Sequence, residues 1–257
     1  MRALALLCSV VFASASHAAM QHEVRSYKVG DTPMEGHLYF DDAKKALPGL
    51  VFVPNWMGIN AANLAQAKLV ANRGYVVFVA DMYGKTVRPT DGAAAGKASG
   101  VVKGDRTLMR KRVLAALDQL KASKAPLNTK QLGAIGFCFG GTSVLELARA
   151  GAAVGGVVSF HGGFSSPTPA DAKNISSKVL VLHGADDPNV PPAEVAAFEQ
   201  EMKSVPNLDW QLVSYGGAVH SFTDPNAKSP GSSQYNPLVA KRAFAAMDAF
   251  YAEIFAK

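Results

Sequence analysis

Cysteine is nearly absent from this chain of 257 residues, which holds only Cys8 and Cys138. A disulfide framework is thereby excluded, and the fold has to be held by an apolar core. Zinc-type spacing is missing as well, since no cluster of cysteine, histidine and carboxylate residues falls at ligand intervals. The glycine-rich stretches lack the Lys-Ser/Thr pair of a phosphate loop and the spacing of a dinucleotide fingerprint. No metal and no cofactor is expected. Charge is not concentrated either: the net charge is +6, but the lysines and arginines are scattered apart from Arg106, Arg110, Lys111 and Arg112. Nucleic-acid binding calls for a basic patch or stripe, so none is expected, and the cluster reads as a solvated helix face. Asn174-Ile175-Ser176 matches a glycosylation sequon, a motif too short to carry weight alone. Linkers, repeats and low-complexity tracts are lacking, which points to one domain.

Long hydrophobic runs are also scarce. Ala3 to Ala13 is apolar but shorter than the roughly 20 residues of a membrane span. Met1-Arg2 precedes it with a positive charge, and Ser14-Ala15-Ser16-His17-Ala18 follows with small residues. That order is the layout of a secretory signal peptide, with cleavage expected after Ala18. Residues 1–18 are thus read as a signal and residues 19–257 as the mature domain, a monomer that is periplasmic or secreted and without stable membrane association. Cys8 leaves with the signal, and Cys138 remains.

What the sequence has in quantity is apolar side chains, 49% of the total. His22 to Val29 and Met34 to Phe40 alternate polar and apolar residues around Gly30-Asp31-Thr32-Pro33, the pattern of an antiparallel edge pair. Afterwards the pattern becomes short, nearly continuous apolar runs: 49–53, 75–80, 132–135, 154–160, 179–183 and 210–213. These read as buried parallel strands. Helical stretches at 61–72, 106–121, 142–150, 194–203 and 237–254 separate or follow them. The expected fold is α/β, a mostly parallel central sheet with helices on both faces and an antiparallel N-terminal edge. Lys85 to Val102, rich in alanine and glycine after a strand end, reads as a loop over the site or a plain crossover.

Ligands of such sheets bind beyond the carboxyl ends of the strands. There the run 132–135 passes through Gly136-Phe137-Cys138-Phe139-Gly140-Gly141 into a helical pattern. Glycines at this spacing let a strand turn sharply into a helix and thrust the corner side chain into the open, with the helix dipole favouring thiolate. Two later strand ends carry Asp186-Asp187 and His220. Thiol attack on an acyl carbon requires a base for the proton and a carboxylate to orient that base, and Cys138, one of the two aspartates and His220 supply these types. The chain order, nucleophile then acid then base, is that of α/β-hydrolases. Backbone N–H groups of Phe139 and of the loop at Trp56 would form an oxyanion hole. Asn55 stands where it can bond substrate or position that loop, and Trp56, Tyr83 and Phe222 are candidates for an apolar pocket. His161 and His183 also end apolar runs, where backbone hydrogen bonds ordinarily satisfy a histidine.

These motifs together resemble the dienelactone hydrolase family. The resemblance rests on Gly136 to Gly141, on His183-Gly184-Ala185-Asp186-Asp187-Pro188-Asn189-Val190-Pro191, on Gly216-Gly217-Ala218-Val219-His220-Ser221-Phe222 and on Ala80-Asp81-Met82-Tyr83-Gly84. It implies an α/β-hydrolase fold and cleavage of a small-molecule ester or lactone. It also implies a Cys138, Asp187 and His220 triad, choosing the aspartate nearer the Val-Pro pair. The family's activating glutamate is matched by Asn55, and its two substrate-binding arginines are matched by Lys85 and Asp224. Lysine brings a point charge without a bidentate clamp, so Lys85 is a substrate-binding candidate of reduced grip. A competing expectation is an exported binding or redox-responsive thiol protein on the same scaffold.

Overall fold

The computed structural model describes residues 20–256, so the expected signal at 1–18 lies outside the described residues. Eight strands form one sheet in the order β1-β2-β4-β3-β5-β6-β7-β8. They are β1 (Met20–Val29), β2 (Thr32–Asp41), β3 (Leu47–Val53), β4 (Val76–Val79), β5 (Leu127–Phe137), β6 (Gly156–Phe160), β7 (Lys178–Gly184) and β8 (Trp210–Tyr215). β1 pairs antiparallel with β2 from Val29↔Thr32, and β2 pairs antiparallel with β4. All later pairings are parallel. The alternating pattern at the N-terminus and the continuous apolar runs thereafter have the same cause: β1 leaves one face wet, whereas the inner strands are covered on both.

Six helices provide that cover: α1 (Ala61–Ala71), α2 (Gly92–Gly104), α3 (Arg106–Lys121), α4 (Phe139–Arg149), α5 (Pro192–Lys203) and α6 (Pro237–Phe255). Successive side chains of a strand point to opposite faces. Leu50 and Phe52 of β3 accordingly join a core with Val70 of α1 and Met247 and Tyr251 of α6. Val51 and Val53 join the opposite core with Val113 and Leu117 of α3 and Leu147 of α4. None of the described helices is long and apolar enough to cross a membrane.

The stretch expected as a loop at 85–102 is a correction: most of it is α2. Asp91 caps the helix, its carboxylate accepting from the Ala94 N–H at 2.8 Å, and alanine supplies propensity. Gly92 and Gly96, which weaken a helix in isolation, face the indole of Trp56; a Cβ at Gly92 would stand 3.4 Å from it. Tertiary contact with a large ring therefore selects the helix where local preference is weak.

Candidate active site

The site begins at the turn from β5 into α4. Cys138 adopts φ 56° and ψ −117°, a conformation costly for any residue with a Cβ, by about 1–3 kcal/mol. Close approach enforces it: a Cβ on Gly136 would fall on the Gly140 carbonyl, and one on Gly140 would fall on the Val53 carbonyl. The corner places Cys138 as the cap of α4, with the helix N-terminus and the Phe139 N–H on its sulfur. The helix starts at Phe139, three residues earlier than its apolar pattern indicates, because the turn itself supplies the first helical residues.

His220 arrives from the segment between β8 and α6. Its backbone is clamped on both sides, its N–H donating to the Ser232 carbonyl at 3.2 Å and its carbonyl accepting from the Gln234 N–H at 3.0 Å. A small hairpin of β9 (Lys228–Ser229) and β10 (Ser233–Gln234) makes this clamp, and no strand pattern in the sequence announces it. The His220 Nδ1 lies 2.7 Å from Oδ2 of Asp187, whose Oδ1 accepts from the Asn189 N–H at 2.9 Å. Asp187 is buried, whereas adjacent Asp186 is exposed. The other side of the His220 ring meets the thiol of Cys138, and each shifts the other's titration.

Burial opposes charge on all three groups, but the partners outweigh it. Burial pushes the Cys138 thiol up, yet the His220 hydrogen bond and charge, the Phe139 N–H and the Lys103 charge bring it below its ordinary value. Burial pushes His220 down, yet Asp187 and Cys138 raise it to about 10. Burial pushes Asp187 up, yet His220 and the Asn189 N–H hold its carboxyl below the usual range. These directions all favour a thiolate beside an imidazolium, with an ionised carboxylate behind it.

Opposite the elbow, the β3–α1 loop presents the N–H of Trp56 without a hydrogen-bond partner among the described residues. Its neighbours hold the loop still. Asn55 Oδ1 accepts from the Met57 N–H at 3.0 Å and from Asn63 Nδ2 at 2.9 Å, and Tyr83 donates its hydroxyl to the Trp56 carbonyl at 2.8 Å.

Comparison with known proteins gives the family of the chain. The model of the dienelactone hydrolase family matches residues 34–255. The chain belongs to the dienelactone hydrolase family. The solved structure m3DLH superposes with a TM-score of 0.86 at 38% identity, covering 92% of this chain and 99% of that one. A dienelactone hydrolase-like promiscuous phosphotriesterase from metagenomic libraries gives 0.85 at 37% identity, with the same shares covered. A probable 2-oxo-3-(5-oxofuran-2-ylidene)propanoate lactonase of Bradyrhizobium sp is 27% identical over 207 residues, 77% of this chain and 80% of that protein. As a family member, the chain is a hydrolase of the carboxylic ester or lactone type.

Within this family framework the remaining candidates fall in three places. Trp56 is 39% exposed and free to touch a substrate, while Tyr83 is nearly covered and lies 5.5 Å, centroid to centroid, from the Phe139 ring. Phe222, expected in the pocket wall, is fully buried; it packs edge-on against His161 and Tyr215 and so braces the histidine loop from behind. Lys85 is brought to β2, where its Nζ pairs with Glu35 at 2.9 Å. The lysine whose charge bears on Cys138 is Lys103 of α2. Gly92, Gly96, Ser99 and Lys103 share one face of α2, which runs from Trp56 past the Tyr83 hydroxyl towards Cys138. A spacing of four, three and four residues behind an Asp cap was the available sequence signal for this wall. A groove of about 850 Å³ between α1 and α6 reaches Asn63 and Thr223 behind the site but is lined by neither Cys138 nor His220.

Proposed function

We propose that this hydrolase cleaves a small carboxylic ester or lactone with Cys138 as nucleophile, His220 as acid and base, and Asp187 as its orienting carboxylate. The observation that carries the reading is the 2.7 Å contact from Asp187 to His220 Nδ1, with the same imidazole coupled by hydrogen bonding and charge to a thiol seated on a helix N-terminus. In the proposed sequence, the Cys138 thiolate forms a bond to the carbonyl carbon and the carbonyl electrons move to oxygen. The N–H groups of Phe139 and Trp56 receive that oxyanion. Collapse breaks the ester C–O bond, and the departing alkoxide takes the proton from His220, leaving an acyl-cysteine. His220, now neutral, removes a proton from water; the resulting hydroxyl attacks the acyl carbon and the thiolate is expelled. Asn55 serves by holding the Trp56 loop.

The test is hydrolysis of a panel by the residue 19–257 protein beside Cys138→Ala and His220→Ala. Short aryl esters, simple lactones and a dienelactone probe the carboxylic substrates; an aryl phosphotriester is added because of the promiscuous relative. Turnover abolished in both variants, with an acyl adduct on Cys138 by mass spectrometry, is the expected result. Turnover surviving in Cys138→Ala would overturn the mechanism. We further propose that residues 1–18 direct export to the periplasm or medium and that the mature protein is a monomer. The mass of the N-terminal peptide from fractionated cells, and the molar mass in solution, test these two points.

A further inference from the structure

His161 stands at the end of β6 and is absorbed by none of the roles above. It is almost wholly buried, and its φ of 40° is left-handed. Among the described residues five non-glycine positions have positive φ, and three of them, Cys138, His161 and Ser221 beside His220, belong to this one site. Strain of this kind persists only where surrounding contacts hold it. The contacts of His161 are specific. The Cys138 N–H, shared with the Phe160 carbonyl at 3.0 Å, also donates to His161 Nδ1 at 3.2 Å. Because Nδ1 accepts there, the ring proton is on Nε2, which donates to Thr223 Oγ1 at 2.8 Å. The same ring lies edge-on to His220 at 5.3 Å and to Phe222 at 5.0 Å.

From this geometry we infer that His161 is a positioning residue, a strut joining the turn that carries the nucleophile to the loop that carries the base. One imidazole bonds the backbone of Cys138 at one nitrogen and the side chain of Thr223 at the other, three residues past His220. The two reacting groups come from elements more than eighty residues apart in sequence, and no covalent or strand pairing links Cys138 to His220. The strut sets their separation. It also requires the ring to stay uncharged, since a proton on Nδ1 would remove the acceptor and set a cation against that of His220. Burial first, and His220 second, hold the His161 pKa well below its ordinary value. The titratable groups facing it are Cys138 and His220, with Asp187 behind the latter.

This inference rests on the proposed triad, and its test separates the two. Thr223→Val removes one end of the strut, His161→Phe removes both bonds and keeps a ring, and Thr223→Ser and His161→Asn are the conservative controls. Asparagine retains an acceptor near the Nδ1 position and tolerates positive φ. A displacement on the order of 1 Å at a reacting pair costs about a hundredfold in rate. Thr223→Val and His161→Phe are therefore expected to lower kcat/KM about ten- to a hundredfold, with the double variant no worse than His161→Phe. In both, the pH profile of Cys138 alkylation by iodoacetamide should move towards that of an ordinary thiol. Thr223→Ser should stay within about threefold of the parent protein. If Thr223→Val keeps both the parent rate and the parent alkylation profile while Cys138→Ala and His220→Ala are inactive, the strut is refuted and the triad stands. If Cys138→Ala remains active, the triad itself fails. A His161→Phe chain that does not fold leaves the Thr223→Val and Thr223→Ser pair to decide.

Discussion

Replacing Asp187 by asparagine removes one charge and almost no volume, so its effect isolates what the carboxylate does to His220. The amide oxygen can keep the Asn189 N–H bond made by Oδ1, which turns the amide nitrogen towards His220 Nδ1 at the position of the 2.7 Å contact. A donor facing Nδ1 makes that atom an acceptor and moves the ring proton to Nε2, the edge that meets Cys138. Neutral His220 then has no lone pair for the thiol proton. The charge effect adds to this. His220 is raised to about 10 against an ordinary 6.5, so the protonated ring is favoured. Asp187 and Cys138 both oppose the burial that would lower that value, so removing the carboxylate weakens the preference for imidazolium. Wrong tautomer and lost charge together cost about 10⁴-fold in turnover in a Ser-His-Asp hydrolase, and a similar loss is expected here. The assay is steady-state hydrolysis of the best panel substrate by Asp187→Asn and Asp186→Asn, with thiolate absorbance near 240 nm followed against pH. Asp186, exposed and taking no part in this pair of bonds, should tolerate the change within a few-fold. Turnover retained in Asp187→Asn and lost in Asp186→Asn would refute the assignment of the acid.

The pH dependence of kcat/KM should be a broad bell. The rate rises with pH as the Cys138 thiol, held below its ordinary 9.0, loses its proton, and falls near 10 as His220 loses the proton it gives to the leaving group. An acid limb at the ordinary thiol position would contradict the ion pair. Lys103→Glu should raise the Cys138 pKa, because it replaces a favourable charge by an unfavourable one, and slower alkylation at fixed neutral pH reads this out. Gly140→Ala would drive a Cβ into the Val53 carbonyl and to 2.7 Å from that of Pro54, so the Trp56 loop must retreat from the elbow. A loss of about a hundredfold in kcat/KM is expected, with about 1–3 kcal/mol of stability lost in denaturant melts. Arg149→Met tests the platform under α4: the guanidinium is buried and grips Glu201 through two bonds of 2.7 Å while bonding Glu146 at 3.0 Å. Glu146 keeps its pairing with Arg110, but buried Glu201 is left without a cation, which should cost about 3–5 kcal/mol, and a melting temperature within about 2 °C of the parent would show that the network relaxes freely.

The sequence was most readable where one residue type at one place has few physical uses. A cysteine between close glycines after an apolar run, and an aspartate and a histidine after later runs, mark strand ends whether or not their partners are known. α3 was legible at 106–121 because Met109, Val113, Ala116, Leu117 and Leu120 repeat at helical spacing behind the capping Asp105. α2 was not, because its glycines weaken the local preference and the ring that stabilises it belongs to a loop some forty residues earlier. The rest of the site was hidden for a related reason. Asn63, Thr223 and His161 act through one or two side-chain hydrogen bonds to partners outside their own elements, which leave no periodicity and no motif. The pairing of Lys85 is not legible for want of register: nothing local to it says that Glu35 of β2 lies alongside.

These hidden contacts explain how a site built on strained backbone can be stable. The elbow and the Ser221 turn hold an unfavourable φ at or beside a reacting residue, and the His161 corner holds one where its ring bonds the Cys138 backbone. Relaxation of any one would move a reacting atom, so the strain is useful only if neighbours make relaxation costlier still. Asn55 with Asn63 fixes the Trp56 loop, the Ser232–Gln234 hairpin fixes the His220 backbone, and His161 with Thr223 spans the gap between elbow and loop. A rigid sheet end with three such braces has little rearrangement left to do when charge appears on the sulfur, the imidazole and the oxyanion. Preorganisation of this kind lowers a barrier without moving parts. It follows that loosening a brace should slow turnover more than it lowers melting temperature, the reverse of the order expected for Arg149.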